Sequence, residues 1–147
     1  MSDLDDFKAT YFDECSELLT ELEEQFAVIE EGERGADRLN AVFRAIHSIK
    51  GGAGAFGFTA LVGFAHAYET LLDYVRDGRI ELTDDVVVLC IRANDIVADH
   101  VNAAQTGEAL PADYGAEEKA RFDALARGET ASDSVEEDEL DGEMVEE

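Results

Sequence analysis

Residues 4–31 read LDDFKATYFDECSELLTELEEQFAVIEE, with large apolar side chains at Leu4, Phe7, Tyr11, Cys15, Leu18, Leu22, Phe26 and Ile29. The steps between them are 3, 4, 4, 3, 4, 4 and 3, which places all eight on one face of a helix. Asp3 precedes the run as an N-cap and Gly32 and Gly35 follow it, so the spacing predicts one long amphipathic helix. A face this long must be covered by other helices.

The same period recurs downstream. A second segment, from about Ala36 to Lys50, carries Leu39, Val42, Phe43, Ile46 and Ile49 and is expected to stop at Gly51-Gly52. A third opens near Thr59 with Leu61, Phe64, Tyr68, Leu71, Leu72 and Val75, and Gly78 ends it. In the fourth, Thr83 serves as N-cap and Asp84-Asp85 occupy the first turn, where carboxylates suit the helix dipole; it runs through Val86, Leu89, Ile96, Val97 and Val101 to about Gln105. After a connection containing Pro111, a fifth and shorter helix spans about Ala116 to Arg127, anchored by Phe122 and Leu125. Val86-Val87-Val88 is the best strand candidate, but it sits inside the capped helical pattern. Short connections make successive helices antiparallel. The fold predicted is all-α, an antiparallel up-down four-helix bundle with an appended fifth helix.

Charge narrows the function. The 147 residues hold 11 basic and 36 acidic side chains, a net charge of −25. A nucleic-acid binder needs a basic face to displace counterions, and anionic lipid surfaces would repel this chain. No apolar run approaches the roughly 20 residues that span a bilayer, and the N-terminus Met1-Ser2-Asp3-Leu4-Asp5-Asp6 is acidic where a signal peptide would be basic. A cytoplasmic location is expected. Two cysteines, Cys15 and Cys90, lack zinc spacing, lie on apolar stripes and read as core. Residues 129–147 contain ten acids and no base, which predicts a disordered acidic tail or linker after a domain of residues 1–128.

Chemistry concentrates after the second helix, in His47-Ser48-Ile49-Lys50-Gly51-Gly52-Ala53-Gly54-Ala55-Phe56-Gly57-Phe58. Gly52 to Gly57 matches the dinucleotide fingerprint GxGxxG literally, but that loop must follow a strand, and a phosphate-loop lysine would follow its glycines rather than precede them. Ser48 beside His47 cannot serve as a hydrolase dyad, because adjacent helix residues point about 100° apart. His47 itself stands about 100° from the centre of the apolar stripe, on the shoulder of the helix near Asn40, Arg44 and Gly51. Glycine at position 51 removes bulk beside the ring, and Lys50 sets a cation within reach of a phosphoryl group there. On the third segment His66 and Glu69 share a face at i and i+3. If segments two and three are antiparallel neighbours, Glu69 reaches His47, accepts a hydrogen bond from Nδ1–H and leaves the Nε2 lone pair outward. An imidazole so held is a competent nucleophile toward phosphorus at neutral pH.

The stretch His47 to Phe58 resembles the phosphoacceptor segment of histidine phosphotransfer domains, most closely the N-terminal domain of CheA-type chemotaxis histidine kinases. The resemblance covers about residues 4–128, with the His66-x-x-Glu69 element and the fifth helix. It implies that His47 is phosphorylated at Nε2 by a separate ATP-binding kinase domain, in cis or in trans, and yields the group to an aspartate of a CheY-type response regulator. It implies further that Glu69 orients the imidazole, with Lys50 and His66 nearby, and that Arg44, Ser48, Gly51, Gly52 and Gly54 face the approaching partner. No cofactor is expected in this chain; ATP and magnesium belong to the kinase and magnesium to the regulator. Nothing in the sequence looks like the kinase's nucleotide-binding region, so a fragment of a larger kinase, or a substrate phosphorylated in trans, is expected. Two other readings stand beside this one. A metal-binding bundle would want Glu-x-x-His on two helices, whereas His66-x-x-Glu69 is reversed and single. A purely structural interaction module would make the acidic tail the working part. His100 receives no role.

Overall fold

Glycines and one threonine cap divide residues 3–128, the part that the computed structural model describes, into five helices: α1 (Asp3–Glu30), α2 (Ala36–Phe56), α3 (Thr59–Arg76), α4 (Asp84–Thr106) and α5 (Ala116–Ala126). No strand occurs among the described residues, and Val86-Val87-Val88 lies within α4. The tail predicted for 129–147 lies outside them. Thr83 caps α4 as expected, its hydroxyl accepting from the Val86 N–H at 3.2 Å. Gly78 and Gly107 take positive φ just after α3 and α4; the Arg79 N–H that follows Gly78 turns back to the Tyr74 carbonyl, and the Gly107 N–H bonds to that of Ala103. Asp3 is already helical, one residue inside the position expected of a cap.

The helices close a ring, α1 on α2, α2 on α3, α3 on α4 and α4 on α1, while α5 lies across α3 and α4. This is the up-down four-helix bundle with its appended fifth helix. The predicted stripes fill its centre: Tyr11, Cys15, Leu22, Phe26 and Ile29 from α1, Val42, Ile46 and Ile49 from α2, all six stripe residues of α3, and Val86, Leu89, Ile96, Val97 and Val101 from α4 are buried. Both cysteines are in the core, and burial pushes the Cys90 thiol up to about 12. Leu39 and Phe43 pack at the margin. Arg34 ties the far end together, donating to the carbonyls of Ile29 at 2.9 Å and Leu82 at 2.8 Å and pairing with Asp84 at 2.8 Å.

Two expectations fail. Leu4 and Phe7 belong to the α1 stripe by spacing, yet they are 53% and 64% exposed. At about 1.5 Å per residue a helix of this length is about 42 Å long and overhangs its shorter neighbours, so its first turns have nothing to pack on. The second failure concerns α2, which does not stop at Gly51-Gly52 but runs through both, and through Gly54, to Phe56. Its true stop is Gly57, at φ 77°, where the Phe58 N–H bonds back to the Ala53 carbonyl at 2.9 Å and the Gly57 N–H to Gly54 at 3.2 Å. The extra turns hold because Ile49 and Ala53, one above the other on the inner face, are fully buried. Packing there outweighs the roughly 1 kcal/mol by which each glycine weakens a helix interior.

Candidate functional site

The α2–α3 pair brings the shoulder of one helix against an inward-facing carboxylate of the other. The His47 side chain is 62% exposed, and the Glu69 side chain is only 10% exposed. One Glu69 oxygen, Oε2, meets Nδ1 of His47, and the other, Oε1, accepts from Lys50 Nζ at 2.5 Å. Lys50 stands three residues after His47 on the same helix, so a single carboxylate gathers both groups. Burial pushes the Glu69 carboxyl up, but the hydrogen bonds from Lys50 and His47 outweigh it and hold the group below the usual carboxylate range. An ionised carboxylate only accepts, so the proton of a neutral His47 belongs on Nδ1 and the lone pair on Nε2. No hydrogen bond to Nε2 occurs among the described residues.

His66 is exposed, with Nδ1 4.0 Å from Glu69 Oε1, too far for a hydrogen bond. It stands beside the network rather than in it. Arg44 and Ser48 are exposed on the same shoulder. The glycines divide. A Cβ at Gly51 or Gly54 would meet nothing within 4 Å, so the surface next to the imidazole is open there. At Gly52 a Cβ would overlap the Tyr11 ring, whose hydroxyl donates to the Ile49 carbonyl at 2.7 Å. The expectation that Gly52 faces a partner is therefore corrected: its missing side chain makes room for α1, inside the bundle.

Sequence reading missed a stack on the opposite side of the imidazole. The Phe43 ring stacks on that of His47, with centroids 6.1 Å apart and an angle of 7° between the planes. The Arg76 guanidinium covers the Phe43 ring at 3.8 Å from its centroid and is held by Asp73 at 2.7 Å and Asn40 at 3.3 Å. Phe43 precedes His47 by four residues, a spacing visible in the sequence; Arg76 comes from the end of α3 and had no local signal. His100, left without a role, is buried and stacked on Phe64. Among the described residues no group of three or more His, Cys, Asp or Glu side chains is arranged to hold a metal ion. No described helix is long and apolar enough to cross a membrane.

The chain is similar to known proteins. The Hpt domain family model matches residues 6–110. The chain is 45% identical over 127 residues to the chemotaxis protein CheA of Rhizobium meliloti (strain 1021), covering 86% of this chain and 17% of that one. It is 39% identical over 137 residues to CheA of Salmonella typhimurium, covering 91% of this chain and 20% of the other. The chain thus spans a fifth or less of the length of these relatives. A crystal structure of the phosphorylated P1 domain of CheA3 in complex with CheY6 from R. sphaeroides superposes with a TM-score of 0.71 at 25% identity, covering 84% of this chain and 94% of that one. On fold, on the segment around His47 and on these similarities, the chain belongs to the Hpt domain family.

Proposed function

We propose that this chain is a phosphorelay domain of chemotaxis two-component signalling: His47 accepts a phosphoryl group from an ATP-dependent histidine kinase and passes it to an aspartate of a CheY-type response regulator. One observation carries the reading. A buried carboxylate takes Nδ1 of an otherwise exposed imidazole, which leaves Nε2 as the outward nucleophile. The similarity to CheA proteins, and to a phosphorylated P1 domain seen with CheY6, supports the choice of partner.

In the forward step the Nε2 lone pair attacks the γ-phosphorus of ATP; the N–P bond forms, the P–O bond to ADP breaks, and Nδ1 keeps its proton. The ring gains positive charge, which Glu69 stabilises across the Nδ1–H bond. Lys50 sets a cation near the arriving phosphoryl oxygens. In the second step an aspartate carboxylate of the regulator attacks phosphorus, the N–P bond breaks, and the ring returns neutral. ATP and its magnesium come with the kinase catalytic domain, in cis or in trans, and a further magnesium with the regulator. Arg44, Ser48, Gly51 and Gly54 form the ground on which either partner stands. The setting is the cytoplasm, where nucleotide and regulator are both available, and the chain acts as one portion of a larger kinase or as its substrate in trans.

Incubating the protein with a kinase catalytic domain and γ-labelled ATP tests this. Label that is lost in acid and retained in alkali, and that moves to a regulator on mixing, is expected; acid-stable label, or none, would contradict it.

A further inference from the structure

On the side of α3 away from His47, a cavity of about 610 Å³ opens between the start of α3, the end of α4 and the connection into α5. Its walls are apolar and aromatic, with Phe64, Ala104, Leu110 and Tyr114 among them, and its size lies within the range of small-molecule sites. His100 lines it and is only 8% exposed. The imidazole contacts two rings, stacking on Phe64 with centroids 5.9 Å apart and meeting Tyr114 edge-on at 5.9 Å. Neither of its nitrogens makes a hydrogen bond among the described residues. The adjacent Asp99 carboxylate is taken by the Tyr114 hydroxyl. Buried polar groups left without a partner are uncommon and call for one from outside the chain.

We propose that this cavity binds a small, uncharged, planar aromatic molecule bearing one hydroxyl, whose ring lies among Phe64, Leu110 and Tyr114 and whose O–H donates to the free imidazole nitrogen of His100. Burial pushes His100 below the usual imidazole range, so the ring stands neutral and offers one acceptor nitrogen. Charge selects against an anion. The lining holds one cation, Lys119, and one carboxylate, Glu108, and the whole chain carries −25. The site is separate from the phosphorylation chemistry and does not depend on it.

The test uses phenol, toluene and benzoate, titrated into the 147-residue protein and followed by amide and methyl NMR shifts. Phenol is expected to move the resonances of Phe64, His100, Ala104, Leu110 and Tyr114 as one saturable set, with toluene and benzoate each at least several-fold weaker. His100→Phe keeps a ring in place and is expected to weaken phenol roughly tenfold while sparing toluene. Should that variant fail to give a wild-type helical spectrum, Ala104→Leu supplies the second arm, filling the cavity and removing phenol's shifts. Shifts scattered over the surface, or no shifts, would overturn the site. Toluene binding as well as phenol would overturn the role of His100, and benzoate binding more tightly would overturn the uncharged class.

Discussion

Gly52 of α2 lies against the ring of Tyr11 on α1 at a separation that no Cβ could share, while its neighbour Gly51 faces open space. Two adjacent glycines, alike in sequence, therefore do opposite things. Gly52→Ala forces the Tyr11 ring aside in a packed region and is expected to destabilise the fold by about 1–3 kcal/mol. Gly51→Ala, in the exposed interior of a helix, is expected to stabilise it by about 0.5–1 kcal/mol. Urea denaturation of the two variants measures both. Equal effects would show that α1 and α2 do not meet as described.

The clearance beside the imidazole can be separated from stability. Gly51→Leu is expected to fold at least as well as the parent, yet to slow phosphoryl transfer to a regulator roughly tenfold or more, because the new side chain would stand where the partner's backbone is proposed to come in. Stopped-flow mixing of phosphorylated protein with regulator reads the rate. An unchanged rate would mean that the open surface at Gly51 is not the approach.

Glu69 is the hinge of the site's electrostatics. Its carboxyl titrates lower in the folded protein than in the unfolded chain, through Lys50 and His47 and against burial. The stabilisation this represents is fully present above the unfolded carboxyl's range, near pH 4–5, and is lost as pH falls through the lower folded value. Glu69→Gln is accordingly expected to be less stable than wild type at pH 7, by roughly 1.5–3 kcal/mol, with the gap narrowing as the pH is taken below 4. Labelling of Glu69→Ala should slow roughly ten- to a hundredfold without vanishing, since the nucleophile remains. A pH-independent stability gap would contradict the ionised state assigned here, and an unchanged labelling rate would remove Glu69 from the mechanism.

The Phe43 ring holds the other side of His47. Phe43→Leu retains an apolar contact at the bundle margin and loses the parallel ring and the seat of Arg76. A several-fold slower labelling is expected, restored by Phe43→Tyr, which keeps the ring. Arg76→Ala should reduce stability by about 0.5–1 kcal/mol through the lost cation–π contact. Failure of the tyrosine variant to restore the rate would assign Phe43 to packing alone.

How much of this the sequence carried depends on the range of the forces involved. Local signals were legible: the apolar stripes of α1, α3 and α4, the Thr83 cap, the stop at Gly78, and the face shared by His66 and Glu69. The meeting of Glu69 with His47 followed from one topological premise, an antiparallel α2–α3 pair. What failed was decided between elements. Glycines read as a stop became part of α2 because Ile49, Ala53 and Tyr11 made continued packing the stronger term. Leu4 and Phe7 kept the period but lacked neighbours, since period says which face is apolar and not how far the partner helices extend. His100 and the Phe43–Arg76 stack depend on side chains from distant segments, which no spacing along one helix displays.

Which atom of which histidine receives phosphorus decides the mechanism, and one measurement reads it directly. The protein phosphorylated by a kinase catalytic domain is examined by two-bond 1H–15N correlation of its imidazoles, alongside His47→Gln carried through the same labelling. Phosphorus is expected on Nε2 of His47 with Nδ1 still protonated, and no label in a His47→Gln variant of unchanged helical content. Phosphorus on Nδ1, on His66 or on His100, or label that survives His47→Gln, would contradict it.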